Sequence, residues 1–192
     1  MTLPNTIVPG DTTEPFGNSP GFATASLSRD VIAADVNGDS RADLIVANDN
    51  NTVSVLLNTT APAPASTANP SFTTHKDFNV GANPLDLAVA DINGDGRMDI
   101  VTANADAGTV SVLLNTTEPD TAADIDAANS LTFAREDFDA GLQPLTVDAA
   151  DFNGDGRPDL VVPNRDDDTV SVLLNTTAPA PAATANVDFA PR

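Results

Sequence analysis

Apolar and polar residues alternate along short runs of this chain, and no run is long enough for an amphipathic helix. In residues 85–91, Leu85, Leu87 and Val89 fall on one face. Residues 109–115 begin with strict alternation, and residues 99–104 are β-branched and bounded by turn residues. Residues 71–77 are more polar, as suits an outer strand. Each run has the length usual for a strand, and Pro, Gly and Asn crowd the gaps. The pattern predicts an all-β protein.

The runs repeat. Val-Ser-Val-Leu-Leu-Asn-Thr-Thr occurs at 53–60, 110–117 and 170–177. Asp-x-Asn-Gly-Asp-x-Arg-x-Asp begins at Asp35, Asp91 and Asp151, so two independent markers keep step at a period of 56–60 residues. Phe22, Phe78 and Phe138 each precede the first Asp by 13 residues, and the last two head Phe-x-x-Gly-x-x-Pro. The first unit departs from that pattern, with Ala25 and Ser28 in place of Gly and Pro. Phe16, Phe72, Phe133 and Phe189 mark four outer-strand candidates for three units. Ala-Pro-Ala-Pro at 61–64 and 178–181 reads as stiff surface loop. Four strands per repeated unit fit the blades of a β-propeller; a β-sandwich or solenoid is the alternative. The expected division is an N-terminal segment 1–22, then blades at 23–78, 79–138 and 139–192.

Composition narrows the chemistry. The 192 residues carry 28 acids against 8 Lys and Arg, a formal charge of −20. All but Glu14, Glu118 and Glu136 of the acids are Asp, which prefers turns and metal sites to helices. Such a charge opposes nucleic acid as a partner. There is no Cys, which excludes disulfides, thiolate zinc sites and a Cys nucleophile. The one histidine, His75, is expected on a surface strand. No apolar run approaches a membrane span, and residues 1–10 do not read as a signal peptide.

The acidic loops carry the candidate chemistry. Oxygen side chains stand at loop positions 1, 3, 5 and 9: Asp35, Asn37, Asp39, Asp43; Asp91, Asn93, Asp95, Asp99; Asp151, Asn153, Asp155, Asp159. Position 7 (Arg41, Arg97, Arg157) is expected to give a backbone carbonyl and leave its side chain in solvent. Calcium takes six to eight oxygens, and three carboxylates in one short loop repel unless a cation neutralises them. Magnesium demands a small octahedron and fits less well. Gly96 and Gly156 permit the turn at position 6, where Ser40 is a departure that strains the first site. The loop is not an EF-hand: position 12 is Val46, Thr102 or Val162, and the flanks are strands. Three calcium ions would take the charge from −20 to −14. The alternative is ordinary Asp-Asn-Gly hairpin turns.

Phe-x-x-Gly-x-x-Pro followed by this acidic loop resembles the FG-GAP/VCBS repeat family, which includes the α-integrin propeller. The resemblance spans about residues 16–177. It implies blades of four antiparallel strands, with calcium in the hairpin between the first and second. Family members usually carry about seven blades, and this chain has three. The expected resolution is either a second chain completing a six-bladed ring or a chain that is a cut or designed piece of a longer propeller.

The function expected is a calcium-stabilised extracellular binding or adhesion module, non-catalytic, with protein or glycan partners on the face opposite the calcium loops. That face would carry 49–51, 104–107, 164–168 and 79–84. Alternatives are a self-assembling scaffold without a ligand, and the propeller part of a polysaccharide-active enzyme, for which Asp166–Asp168 is the asymmetric acidic cluster. Four Asn-x-Thr sequons stand at Asn50, Asn58, Asn115 and Asn175.

Overall fold

The computed structural model describes residues 21–61, 70–117, 131–178 and 187–190. The Phe16 strand and most of both Ala-Pro segments lie outside the described residues. Eleven strands form three antiparallel sheets among them. The first holds β1 (Ser28–Ala34), β2 (Asp43–Asn48), β3 (Thr52–Leu56) and β4 (Lys76–Asn79) in that order. The second repeats it with β5 (Pro84–Ala90), β6 (Asp99–Asn104), β7 (Thr109–Asn115) and β8 (Phe133–Asp139). The third has β9 (Asp148–Ala150), β10 (Asp159–Asn164) and β11 (Thr169–Leu173), with a short 3-10 helix (Arg165–Asp167) between the last two.

The sheets differ from the expected blade in three places, and the first two have local causes. The outer strand of the first sheet was expected at 71–77, but its ladder runs from Lys76 to Asn79 and Phe72 makes only a bridge to Asn58. The equivalent Phe133–Asp139 is continuous. Phe72 and Phe78 stand one residue further apart than Phe133 and Phe138, so one residue has to bulge. Thr73 fills the gap: its hydroxyl accepts from Leu57 N at 3.0 Å and its N–H donates to Leu57 O at 2.8 Å. Strand β9 shrinks to three residues because Pro163 stands where β6 has Ala103. Pro163 has no N–H to give the inner strand. The third sheet's fourth strand is reduced, among the described residues, to the Asn175–Phe189 bridge.

The departure of the first unit from Phe-x-x-Gly-x-x-Pro is absorbed. A Cβ on Gly81 or Gly141 would lie 2.5 Å from the side chain of Asn104 or Asn164, so those two positions need glycine. Ala25 takes the same place and its N–H still donates to Ser54 Oγ (3.3 Å), as Gly81 N does to Ser111 Oγ (3.0 Å). Ser28 holds the register position of Pro84 and Pro144, opposite Asn48 as they are opposite Asn104 and Asn164.

The core lies between sheets. One cluster packs Ile45, Val53, Val55 and Leu57 of the first sheet on Leu87, Ile100 and Leu113 of the second. The other packs Val101, Val110, Val112 and Leu114 on Val147, Leu160, Val162 and Leu173 of the third. Strands β6 and β7 of the middle sheet therefore bury both faces, one toward each neighbour, which explains their apolar composition. Edge-to-face phenylalanine pairs mark the outer rim: Phe22–Phe72, Phe78–Phe133 and Phe138–Phe189, with ring centroids 4.8–4.9 Å apart. No helix among the described residues is long and apolar enough to cross a membrane.

Candidate metal centre

Each acidic loop is the hairpin between the first and second strand of its sheet, at 35–42, 91–98 and 151–158. The three copies fold alike. Positions 4 and 6 are left-handed: Gly38 and Ser40, Gly94 and Gly96, Gly154 and Gly156 have φ between 67° and 87°. Ser40 (φ 67°) is the one side chain there, and a non-glycine residue in that region costs about 1–2 kcal/mol.

The carboxylates organise the turn. Asp35 Oδ1 accepts from the N–H groups of Gly38 (2.8 Å) and Asp39 (3.1 Å), and Oδ2 accepts from Ser40 N at 2.7 Å. Asp91 and Asp151 hold Asp95, Gly96, Asp155 and Gly156 in the same way. The Asn at position 3 accepts from the N–H of position 5 and donates from Nδ2 to its carboxylate in all three loops. An ionised carboxylate offers about four lone-pair sites, so the Asp at position 1 keeps capacity for a further partner.

Position 9 is different in kind. Asp43, Asp99 and Asp159 are fully buried, and each ties its loop to the end of the third strand. Asp99 accepts from Ile92 N (2.8 Å) and Asn115 N (2.7 Å); Asp43 and Asp159 repeat this with Val36 and Asn58, and with Phe152 and Asn175. Burial pushes the Asp43 carboxyl up to about 6 and that of Asp99 to about 7, with the charges at positions 5 and 1 of the same loop adding to the rise. The loops thus hold negative charge that burial opposes.

Arginine at position 7 corrects the sequence reading. Its side chain is not left in solvent: Arg41 Nη2 pairs with Asp39 Oδ2 at 2.6 Å, and Arg97 and Arg157 pair likewise with Asp95 and Asp155. Arg97 and Arg157 also donate from Nε to Asn115 O (2.7 Å) and Asn175 O (3.0 Å), which fixes the guanidinium beside the carboxylate. The signal was present in sequence as an Arg two residues after the fifth-position Asp in every copy. Among the described residues no three acidic, His or Cys side chains already converge as a metal cage. The donor set nevertheless fits a hard cation: all its side-chain donors are oxygens, and the guanidinium stands in as the counter-ion of position 5.

Two repeat-family models match this chain. One, for an FG-GAP-like repeat, takes in residues 35–102 and so the first two loops; the other, for an FG-GAP repeat, takes in 144–173 and the third. The chain belongs to the FG-GAP repeat family. No curated protein matched its sequence. The three antiparallel sheets of this FG-GAP protein accord with propeller blades.

His75 sits just before β4, at the loop end of the strands, half-buried, with Nδ1 2.9 Å from Asp77 Oδ1. The remaining candidates lie at the other end of the strands. The second-to-third hairpins and the blade connections meet there: Asn83 N donates to Asn51 Oδ1 (2.9 Å), and Leu142 N to Asp167 Oδ2 (2.7 Å). Asp166 pairs with Arg165, so the acidic cluster of the third unit is engaged in local bonds.

Proposed function

We propose that this FG-GAP protein is a calcium-stabilised, non-catalytic β-propeller module of the extracellular space, serving as a binding, adhesion or scaffold element. In this reading Asp35, Asn37, Asp39 and Asp43 with the Arg41 carbonyl hold one ion, and the corresponding residues of the other two loops hold one each. Calcium supplies the positive charge that the loops lack and ties each hairpin together. The observation that carries the reading is the triplicate loop of one backbone geometry, with three carboxylates and an amide oxygen in nine residues. The guanidinium releases its carboxylate when the ion enters. Sites of this kind fill at the calcium levels found outside cells. A protein or glycan ligand meets the end of the strands opposite the loops, where connections are free to vary.

Calorimetric titration of the full chain with calcium tests this. The expected result is three sites per chain, reduced to two by Asp95→Asn. Absence of binding at millimolar calcium, or equal binding of magnesium, overturns it.

A further inference from the structure

The two junctions between sheets share a set of contacts, and the chain's outer sheets carry its unmatched halves. At each junction an Asn at the end of the third strand reaches back to the carbonyl of loop position 2 in the preceding sheet. Asn115 Nδ2 donates to Val36 O and Asn175 Nδ2 to Ile92 O, both at 2.8 Å. At each junction an inner-strand carboxylate also accepts an N–H of the following sheet: Asp30 from Leu87 N at 3.0 Å, Asp86 from Val147 N at 2.8 Å. An apolar cluster fills the space between.

The third sheet presents the forward half of this set to solvent. Val170 (62% exposed), Val172 (45%) and Phe152 (52%) occupy positions that are fully buried in the other two sheets. The first sheet presents part of the backward half: Leu56 and Val46 on that face are already buried, but its inner strand is open. Val31 is 58% exposed, whereas its equivalents Leu87 and Val147 are buried. Val31 faces Val46 in the register in which Leu87 faces Thr102, so its N–H points to the same open edge. Asn58 already donates to Ala42 O, as Asn115 does to Met98 O, and the second acceptor it matches is a position-2 carbonyl such as that of Phe152.

We infer that the open face of the third sheet docks on the first sheet of a second copy of this chain, so that two chains close one six-bladed ring. The docking surface continues an interface that the chain builds twice within itself. Head-to-tail contacts close when the rotation per unit permits, and six lies within the range of propeller blade numbers. One contact is imperfect. Thr146 stands where Asp30 and Asp86 stand, so the closing junction offers Val31 N a hydroxyl instead of a carboxylate. The closing contact is therefore weaker than the internal ones, and the ring is reversible on dilution.

Sedimentation equilibrium of the full chain up to about 100 μM, in calcium and in chelator, tests this. The expected particle is about 39 kDa, twice the 19.6 kDa chain. Thr146→Asp should tighten the dimer by about tenfold and Val172→Asp should yield folded monomer, with folding checked by circular dichroism. A folded wild-type monomer at every concentration overturns the inference, as does a mass that keeps growing with concentration. A dimer indifferent to both substitutions also overturns it, because that dimer uses another surface. A dimer that survives chelator supports the ring while contradicting the calcium reading, so the two fail separately.

Discussion

Residues 109–115 and 169–175 are the same seven residues, Thr-Val-Ser-Val-Leu-Leu-Asn, and they live in different surroundings. On one face the two segments agree: Leu113 and Leu173 are both buried against the sheet before them. On the other face they part. Val110, Val112 and Leu114 are fully buried, while Val170, Val172 and Leu174 are exposed. Identical sequence thus encodes the strand and its register, and the neighbouring sheet decides burial. An apolar strand in a repeat protein states what its unit needs beside it.

The largest test of this contrast is a charge at equivalent positions. Val112→Asp buries an unpaired carboxylate and should cost more than about 3 kcal/mol. Val172→Asp should stay within about 1 kcal/mol of wild type under conditions where the chain is monomeric. Equal losses in urea unfolding would break the comparison.

Next in size is the position-9 acid. Asp99→Ala strands the buried N–H groups of Ile92 and Asn115 and should cost about 2–3 kcal/mol. Asp159→Ala should cost less by about 1 kcal/mol, because its partner Phe152 lies at the exposed face and its N–H can find water.

The clamp between sheets follows. Asn175→Ala removes donors to the Ile92 and Pro158 carbonyls and should cost about 1–2 kcal/mol. Asn58→Ala removes the contacts to Ala42 and Thr60 but none to another sheet, and should cost under about 1 kcal/mol in dilute chain, rising where two chains associate. Equal costs at every concentration would show that the clamp is not a junction contact.

The spacing of short alternating runs and the three acidic loops made the strands and hairpins legible, because both are local signals. What depends on one changed residue was harder to see. Pro163 is visible in the sequence, but its effect on β9 appears only when Ala103 is known to donate inward. The bulge before β4 was written in the longer Phe72–Phe78 spacing. Asn58, Asn115 and Asn175 read as glycosylation sequons, yet the amides of the last two are buried and spent on carbonyls of the preceding sheet. The pairing of Arg97 with Asp95 was signalled by their two-residue spacing in every copy, but only the loop's closed geometry turns that spacing into a contact.

Two smaller predictions concern the loops themselves. The raised carboxyls of Asp43 and Asp99 bind protons more tightly in the folded chain than in the unfolded one. Their contribution to the metal-free protein is therefore present at low pH and is lost as pH rises from about 4 to about 7. Melting in chelator should fall across that range, and saturating calcium should remove the fall. Ser40→Gly relieves the left-handed serine and should stabilise the first loop by about 0.5–1 kcal/mol, bringing it level with the other two.

The most direct test of the account is thermal unfolding of the full chain at neutral pH in chelator, in magnesium and in millimolar calcium. Binding to the folded state alone raises the midpoint with ligand concentration. The expected result is a calcium-dependent rise that chelator reverses and magnesium reproduces only weakly. A midpoint indifferent to calcium would contradict it, leaving the acidic loops as turns held by their own backbone and arginines.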